Sequence, residues 1–401
     1  MDTAEIFQLD RTAVDSVQKY VKTRFVMKEL AETYGRPFVL LQGPRGVGKT
    51  VLLRQYRSQL KHAVYISADT LEQGQSLYEV VDHLRAAFSI HTFFIDEIHY
   101  LDNPAGELKK LFDFTDISMY CTSSSALRIQ DSAYDLSRRI VILKVPPCSF
   151  REYIYFIHSQ ELPKLSIEDL VSGNVPHQYL SFASDFERYL QGGGYLFLLQ
   201  QGTGHEQFRN ILSTICSRDI PLVKKDLTIE ELGKLEQVIA FIGKSPIEGI
   251  SYSSVSRNVG ITKYKAEQYI SLLEMAFLVY RNFPGGTNVL KEPKVFMELP
   301  YRLLYRSYQE CLRSLREDFF ASAMQQAQIS FTYLKSTRGE KTPDFLMNHN
   351  GTSIVFEVGG KGKGRTQFKN IACDKKIICY HSTSDVQVSK DRIPLSLLGF
   401  L

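Results

Sequence analysis

The 401-residue sequence has no tryptophan, and its six cysteines (Cys121, Cys148, Cys216, Cys311, Cys373 and Cys379) stand apart, with no CxxC pair. That scatter argues against a disulfide framework or a zinc ribbon and fits reduced thiols. No apolar run approaches the roughly 18–20 residues needed to cross a bilayer, so no membrane association is expected. The first residues, MDTAEIFQLDRTAVDSV, hold no apolar stretch of the secretory kind, and the expected location is cytoplasmic. An excess of one charge is also missing: 48 Lys and Arg against 44 Asp and Glu leave +4. A surface that binds polyanions over its whole extent is thereby excluded, whereas a local basic patch is not. No internal repeat or low-complexity segment is present. Core material is plentiful, with 44% hydrophobic residues, 22 Tyr and 25 Phe, which excludes disorder as the dominant state. The length points to two or three domains.

The first chemical signal lies in residues 38–57. The apolar run Phe38–Leu41 reads as a buried parallel strand. It is followed by Gly43-Pro44-Arg45-Gly46-Val47-Gly48-Lys49-Thr50, a GxxxxGK[ST] loop, and Val51–Leu60 reads as an amphipathic helix. Strand, loop and helix are the context this motif requires. Glycines let backbone N–H groups curl around phosphate oxygens, and the helix N-terminus adds partial positive charge. Residues Gly43 to Val51 are thus the candidate site for ATP or ADP. Lys49 is the residue expected to reach the β- and γ-phosphates, and the Thr50 hydroxyl is the expected Mg²⁺ ligand.

About 45 residues on, the apolar strand His91–Ile95 ends in Asp96-Glu97. Two adjacent acids at the end of a buried strand are costly without a cation. Asp96 is expected to hold Mg²⁺ and Glu97 to polarise the attacking water. Between the two motifs, residues 62–69 read as a strand and Ser76–Phe88 as a helix. After the acid pair, Pro104–Phe114 reads as a helix and Ile117–Thr122 as a strand ending in serines. A polar residue at that tip is either a γ-phosphate contact or part of a plain turn. Arg138-Arg139, before the apolar strand Ile140–Val145, is either an arginine finger or a solvated edge. Alternating strands and helices predict a parallel α/β sheet.

In order, GPRGVGKT, FFIDE, CTSSS (121–125), LSRR (136–139) and PPCSFRE (146–152) resemble the pattern of prokaryotic AAA+ superfamily ATPases that carry a C-terminal nuclease-like domain of unknown function. That family has TGSSS, LAGR and PLSFxE in these slots. The resemblance implies Ser123 as the sensor of the γ-phosphate and Arg139 as the residue acting on a neighbour's site. Arg138 stands where the family has Gly. A weaker echo of the family's GGFPE-like turn is Gly192-Gly-Gly-Tyr195. A homo-oligomer formed with nucleotide is implied if Arg139 acts in trans.

The remaining chain reads as further modules. Helical pieces in residues 150–220 form either a lid or a second helical subdomain. In 229–283, one apolar helix face (Leu232, Leu235, Val238, Ile239, Ile242) precedes a short helix broken by Gly260. A third helix, Lys263–Ala276, is capped by Thr262. With the following strand and glycine turn this is a winged helix. Either Lys263 and Lys265 enter a DNA groove or the module spaces proteins apart.

In the last third, a helix beginning at Leu315 carries Glu317. Strands are predicted at Phe331–Lys335, Pro343–Met347 and Ser353–Val358, the last two joined by an Asn350-Gly351 turn. Asp344 and Glu357 then stand on neighbouring antiparallel strands where they can share a metal ion. This resembles the PD-(D/E)xK nuclease core, with Glu317 as the helical acid. Gly359 occupies the position of the family's lysine, so either Lys361 or Lys363 from the following loop replaces it or the core is a degenerate nuclease fold that only binds. Lys361, Lys363, Arg365, Lys369, Lys375 and Lys376 form a basic segment for nucleic acid or a solvated loop.

The expected fold class is therefore α/β. A P-loop NTPase core (1–150) is followed by a helical lid (151–225), a winged helix (226–290) and a small α+β restriction-endonuclease-like domain (291–401).

Overall fold

The computed structural model describes residues 2–33, 38–72, 74–124, 136–201, 204–285, 292–334, 342–362, 364, 366–368, 371–384 and 386–401. Two compact units divide at Pro147/Cys148.

The first unit begins with α1 (Thr3–Val17), whose N-cap Asp2 accepts a hydrogen bond from Glu5 N. It continues through α2 (Val26–Glu32), β1 (Phe38–Gln42), α3 (Lys49–Arg57), β2 (Ala63–Ser67), α4 (Leu77–Phe88) and β3 (Thr92–Asp96). The unit ends with α5 (Pro104–Phe114), β4 (Ser118–Ser123) and β5 (Ile140–Lys144). The five strands are parallel, in the order β2-β3-β4-β1-β5. β1 and β3 are buried along their whole length, as continuous apolar runs in a covered parallel sheet should be. α3 buries Leu52, Leu53 and Tyr56, and the Tyr56 ring meets Phe94 and Tyr120 edge-on at 5.7 and 5.0 Å. α1 is fixed to the sheet by buried Asp10, which accepts from Arg57 at 2.9 and 2.7 Å and from Tyr65 N at 2.7 Å. Insertion of β4 between β1 and β3 sets the tip of β4 between the phosphate loop and the acid pair. This topology positions the site.

The second unit starts with α6 (Phe150–His158) and α7 (Ile167–Ser172). Residues 177–193, within the region 150–220 read as helical pieces, form a 3-10 segment followed by short helical turns. Gly192 at φ +123 is a backbone geometry that ends regular helix there. Beyond it lie α8 (His205–Thr214), α9 (Ile229–Lys244), α10 (Tyr252–Val259) and α11 (Lys263–Met275). α9 buries Leu235, Val238, Ile239 and Ile242, with Leu232 half-buried. Gly260 ends α10 in the left-handed region, and Thr262 caps α11 by accepting from Lys265 N.

β6 (Val279–Asn282) pairs antiparallel with β7 (Lys294–Met297). The boundary expected at 290/291 falls inside this hairpin, because the partner strand lies across a loop that periodicity does not bridge.

α12 (Tyr308–Gln326) starts seven residues before the helix expected at Leu315. Ser307 and Glu310 form a capping box that fixes the earlier start. The last sheet holds β8 (Thr332–Tyr333), β9 (Phe345–His349), β10 (Thr352–Gly360), β11 (Lys375–His381) and β12 (Arg392–Pro394), in that spatial order. β8, β9 and β10 are antiparallel, whereas β10, β11 and β12 are parallel. Asn350 and Gly351 both take positive φ (49° and 78°), the turn that Asn-Gly favours between hairpin strands. α12 packs on β10 and β7, with Phe320 stacked on Phe345 at 4.3 Å.

Arg302 and Asp318, 1% and 0% exposed, form a buried ion pair. Arg302 also donates to the carbonyls of Ile242 (2.7 Å) and Ser245 (2.9 Å) at the end of α9. One guanidinium thereby ties α9 to α12.

Candidate functional site

The phosphate loop leaves the buried end of β1 and turns into α3. Gly43 N donates to Ser123 O at 3.3 Å, and a Cβ at Gly43 would lie 1.9 Å from Val145 O, so only glycine fits there. Gly48 caps α3 at φ +91. Lys49 is buried, and its Nζ donates to the carbonyls of Gly43 and Pro44 at 2.8 and 2.7 Å. The ammonium is therefore held inside the loop that its motif predicts. Thr50 occupies the first turn of the same helix. Buried Arg24, which sequence reasoning missed, donates to Val47 O at 2.6 Å and to Pro146 O at 2.9 Å, bracing the loop from outside.

Asp96 ends β3, 2% exposed. Tyr65 in the middle of β2 donates to Asp96 Oδ2 at 2.7 Å, and Thr122 on β4 donates to Oδ1. Arg54 in turn donates to the Tyr65 hydroxyl at 2.9 Å. Burial, with the adjacent Asp96 charge, pushes the Tyr65 phenol well above its ordinary pKa, so it stays a donor. Glu97 leaves the strand at φ +53, and its N–H donates to Thr122 Oγ1 at 2.9 Å. Burial raises the Glu97 pKa and Asp96 adds to the rise, while Lys49 and Arg45 pull it back. Lys49, Asp96 and Glu97 thus share one electrostatic field.

Thr50 and Asp96 present oxygen donors, the chemistry Mg²⁺ takes, and Asp96 is oriented by two hydroxyls. The residues fit that ion, which when bound neutralises phosphate charge. Arg45 donates to the Tyr100 hydroxyl at 2.6 Å.

Ser123 is fully buried. From this end of β4 the hydroxyls that reach the acids belong to its neighbours Thr122 and Ser124. Strand register decides this, and the run of serines does not reveal it. Arg139 precedes β5, at the sheet edge opposite the phosphate loop, about 16 Å away for a five-residue strand. There it pairs in bidentate fashion with Asp113 at 2.8 and 3.1 Å and holds that carboxyl below its usual range. The chain does not bring Arg139 to its own nucleotide site. Arg138 is exposed.

In the second unit, Asp344 and Glu357 stand opposite one another, since Phe345 pairs with Phe356. Asp344 Oδ2 accepts from Val358 N at 2.8 Å. Glu317, 2% exposed, reaches the same region from α12. Burial raises its pKa, Asp344 repulsion raises it further, and Lys294 opposes both. Lys294 Nζ lies 4.0 Å from Glu317 Oε2, a cation that sequence reasoning did not connect to these acids. Gly359 lies within β10, opposite Tyr380, and Lys361 is exposed beyond the strand end. Among the described residues no three His, Cys, Asp or Glu side chains are grouped to hold a metal ion.

Lys263 and Lys265, candidates for a DNA groove, face solvent and each pair with an acid of the chain. Lys263 meets Glu292 at 2.5 Å, and Lys265 meets Glu231. Against the burial that opposes it, hydrogen bonds from Lys263 and Ser253 hold Glu292 at about 2. Lys363, Arg365 and Lys369 lie outside the described residues. Among the described residues no helix is long and apolar enough to cross a membrane.

Residues 35–154 match the family model of an AAA domain, and residues 183–297 match that of a domain of unknown function. An uncharacterized protein of Methanocaldococcus jannaschii is 28% identical over 398 residues, covering 87% of this chain and 83% of that protein. An uncharacterized protein of Haemophilus influenzae is 24% identical over 263 residues, covering 60% and 61%. Among solved structures, the chain is similar to the Walker-type ATPase PABY2304 of Pyrococcus abyssi, with TM-score 0.42, 15% identity and coverage of 71% and 95%. It is also similar to the Orc1 protein of Aeropyrum pernix in complex with DNA, with TM-score 0.32, 16% identity and coverage of 79% and 98%. The segment 35–154 thus matches an AAA domain in sequence and has the parallel sheet and phosphate loop of an α/β P-loop NTPase fold.

Proposed function

We propose that this protein hydrolyses ATP with Mg²⁺ and uses the cycle to work on or with nucleic acid. One observation carries the first half: Lys49 sits in the phosphate loop at the start of α3, in the same field as Asp96 and Glu97, with β4 placed between the two strands that bear them. Lys49 and the loop amides bind the phosphates, Asp96 and Thr50 hold the metal ion, and Glu97 accepts a proton from the attacking water. The tip of β4 senses the γ-phosphate, through Ser123 by the family resemblance or through Thr122 and Ser124, whose hydroxyls reach the acids. Arg139, turned away from its own site, serves a neighbouring copy in a nucleotide-dependent assembly.

The second half rests on the modules after residue 147. α9 to β7 is a winged helix, and residues 308–401 form a PD-(D/E)xK-like core. With Gly359 at the lysine position and Lys361 exposed beyond the strand end, we assign this core to holding nucleic acid rather than cutting it. Contact is placed on the basic segment 361–376, because Lys263 and Lys265 are engaged by Glu292 and Glu231.

The test is steady-state ATP hydrolysis by the full chain with and without DNA or RNA. Turnover that rises with one of them supports the proposal. Turnover indifferent to both leaves a nucleotide-gated protein scaffold as the better reading. Labelled DNA incubated with Mn²⁺ should remain intact; cleavage abolished by Asp344→Ala would reverse the assignment of the C-terminal core.

A further inference from the structure

Resting on the ATP-hydrolysing reading, we propose that His99 is a positioning residue of the nucleotide site. Together with Ser124, it holds the Glu97 carboxylate where a water proton can be taken.

A glutamate has three side-chain torsions, and ordering it costs conformational entropy that some contact must offset. Glu97 is the residue after β3, in the left-handed backbone region, with its side chain 21% exposed. Two groups hold it. Ser124 Oγ donates to Glu97 Oε2 at 3.1 Å, and His99 Nδ1 lies 3.2 Å from the same oxygen. The other ring nitrogen, Nε2, is 3.3 Å from Ser124 Oγ. Glu97, Ser124 and His99 thus close a triangle on Oε2, which leaves Oε1 as the proton-accepting oxygen.

The imidazole is itself fixed. Its side chain is 2% exposed, and its ring lies 4.3 Å from that of Tyr100. Tyr100 in turn accepts a hydrogen bond from Arg45 of the phosphate loop. A continuous set of contacts therefore runs from the loop through Tyr100 and His99 to Glu97. His99 Nδ1 meets Glu97 Oε2 as a close polar contact rather than an aligned hydrogen bond, and Nε2 is the ring atom within hydrogen-bonding reach of Ser124.

The polar role and the packing role make opposite predictions for two substitutions. His99→Phe keeps a ring against Tyr100 but removes both nitrogens, whereas His99→Gln keeps a polar head of smaller volume. The full-length protein is assayed for kcat and KM in ATP hydrolysis and for ATP affinity by calorimetry. His99→Phe and His99→Ala should lower kcat about tenfold or more, with KM and Kd within about twofold, as displacement of a catalytic base does. His99→Gln should recover at least about a third of the wild-type kcat, and Ser124→Ala should fall in the same direction as His99→Phe.

Wild-type kcat in His99→Phe overturns the proposal, as does a rise in KM at constant kcat. If His99→Ala does not fold, His99→Phe and His99→Gln decide alone. Wild-type protein that binds ATP without turnover removes the hydrolysis reading and this inference with it. Active wild type with unimpaired His99→Phe removes the inference only.

Discussion

The buried Arg302–Asp318 pair is a contact whose loss of one partner should be costly. Arg302 meets Asp318 through Nε and, at 3.3 Å, through Nη2, and two carbonyls of the α9 end take Nη1. Asp318 also accepts from Met297 N at 2.9 Å. Neither side chain is exposed to solvent beyond 1%. Asp318→Asn leaves a guanidinium buried without its counter-charge, and Arg302→Met leaves the carboxylate in that position. Each should cost about 3–5 kcal/mol. For a unit of this size, with about 2–4 °C per kcal/mol, the melting temperature should drop by roughly 6–20 °C. The double variant Arg302→Met/Asp318→Leu removes both charges and should recover much of the loss. Recovery stays incomplete because Ile242 O, Ser245 O and Met297 N lose partners worth about 1 kcal/mol each. Urea unfolding followed by circular dichroism measures all three. Single changes costing under about 1 kcal/mol, or a double variant as unstable as the sum of the singles, would refute the reasoning.

Glu298 supplies a pH prediction. Full burial, with Asp318 nearby, raises its pKa from 4.5 to about 8, so the folded state keeps a proton that the unfolded state releases above about 4.5. This favours folding less and less as pH climbs from about 4.5 to 8. At about 1.4 kcal/mol per unit the loss amounts to about 3–5 kcal/mol. Glu298→Gln should therefore flatten the dependence and raise the melting temperature at pH 8 more than at pH 5; equal shifts at both would contradict the assignment. Lys263→Ala and Lys265→Ala should leave DNA affinity, measured by anisotropy at fixed salt, within about twofold of wild type. A tenfold loss, or a salt slope lowered by about one, would show that these lysines leave their acids for phosphate.

What was legible in the sequence was what is local in the chain. Lys49 and Thr50 lie within one motif, and Asp96 and Glu97 end one apolar run, so spacing alone located them. Tyr65, Thr122, Ser124 and His99 surround the same acids, but their roles depend on which strand neighbours which and on which face each residue takes. A strand run such as SMYCTS does not say that β4 inserts between β1 and β3. β9 and β10 were readable because Asn350-Gly351 sets a hairpin, which brings Asp344 opposite Glu357. Lys294 comes from another hairpin 23 residues before Glu317 and could not be assigned to that acid from spacing. The lysines of α11 were rightly placed on a helix, yet Glu231 and Glu292 that engage them are distant in sequence. The earlier start of α12 was written in Ser307 and Glu310 and overlooked in favour of the later apolar run.

The central claim is that Glu97 activates water in a site built by the phosphate loop and Asp96. Its most direct test compares wild type with Glu97→Gln, measuring ATP affinity by calorimetry and single-turnover hydrolysis. The account predicts ATP binding within about threefold of wild type and hydrolysis slowed by about a hundredfold or more. Hydrolysis by Glu97→Gln at the wild-type rate would contradict it.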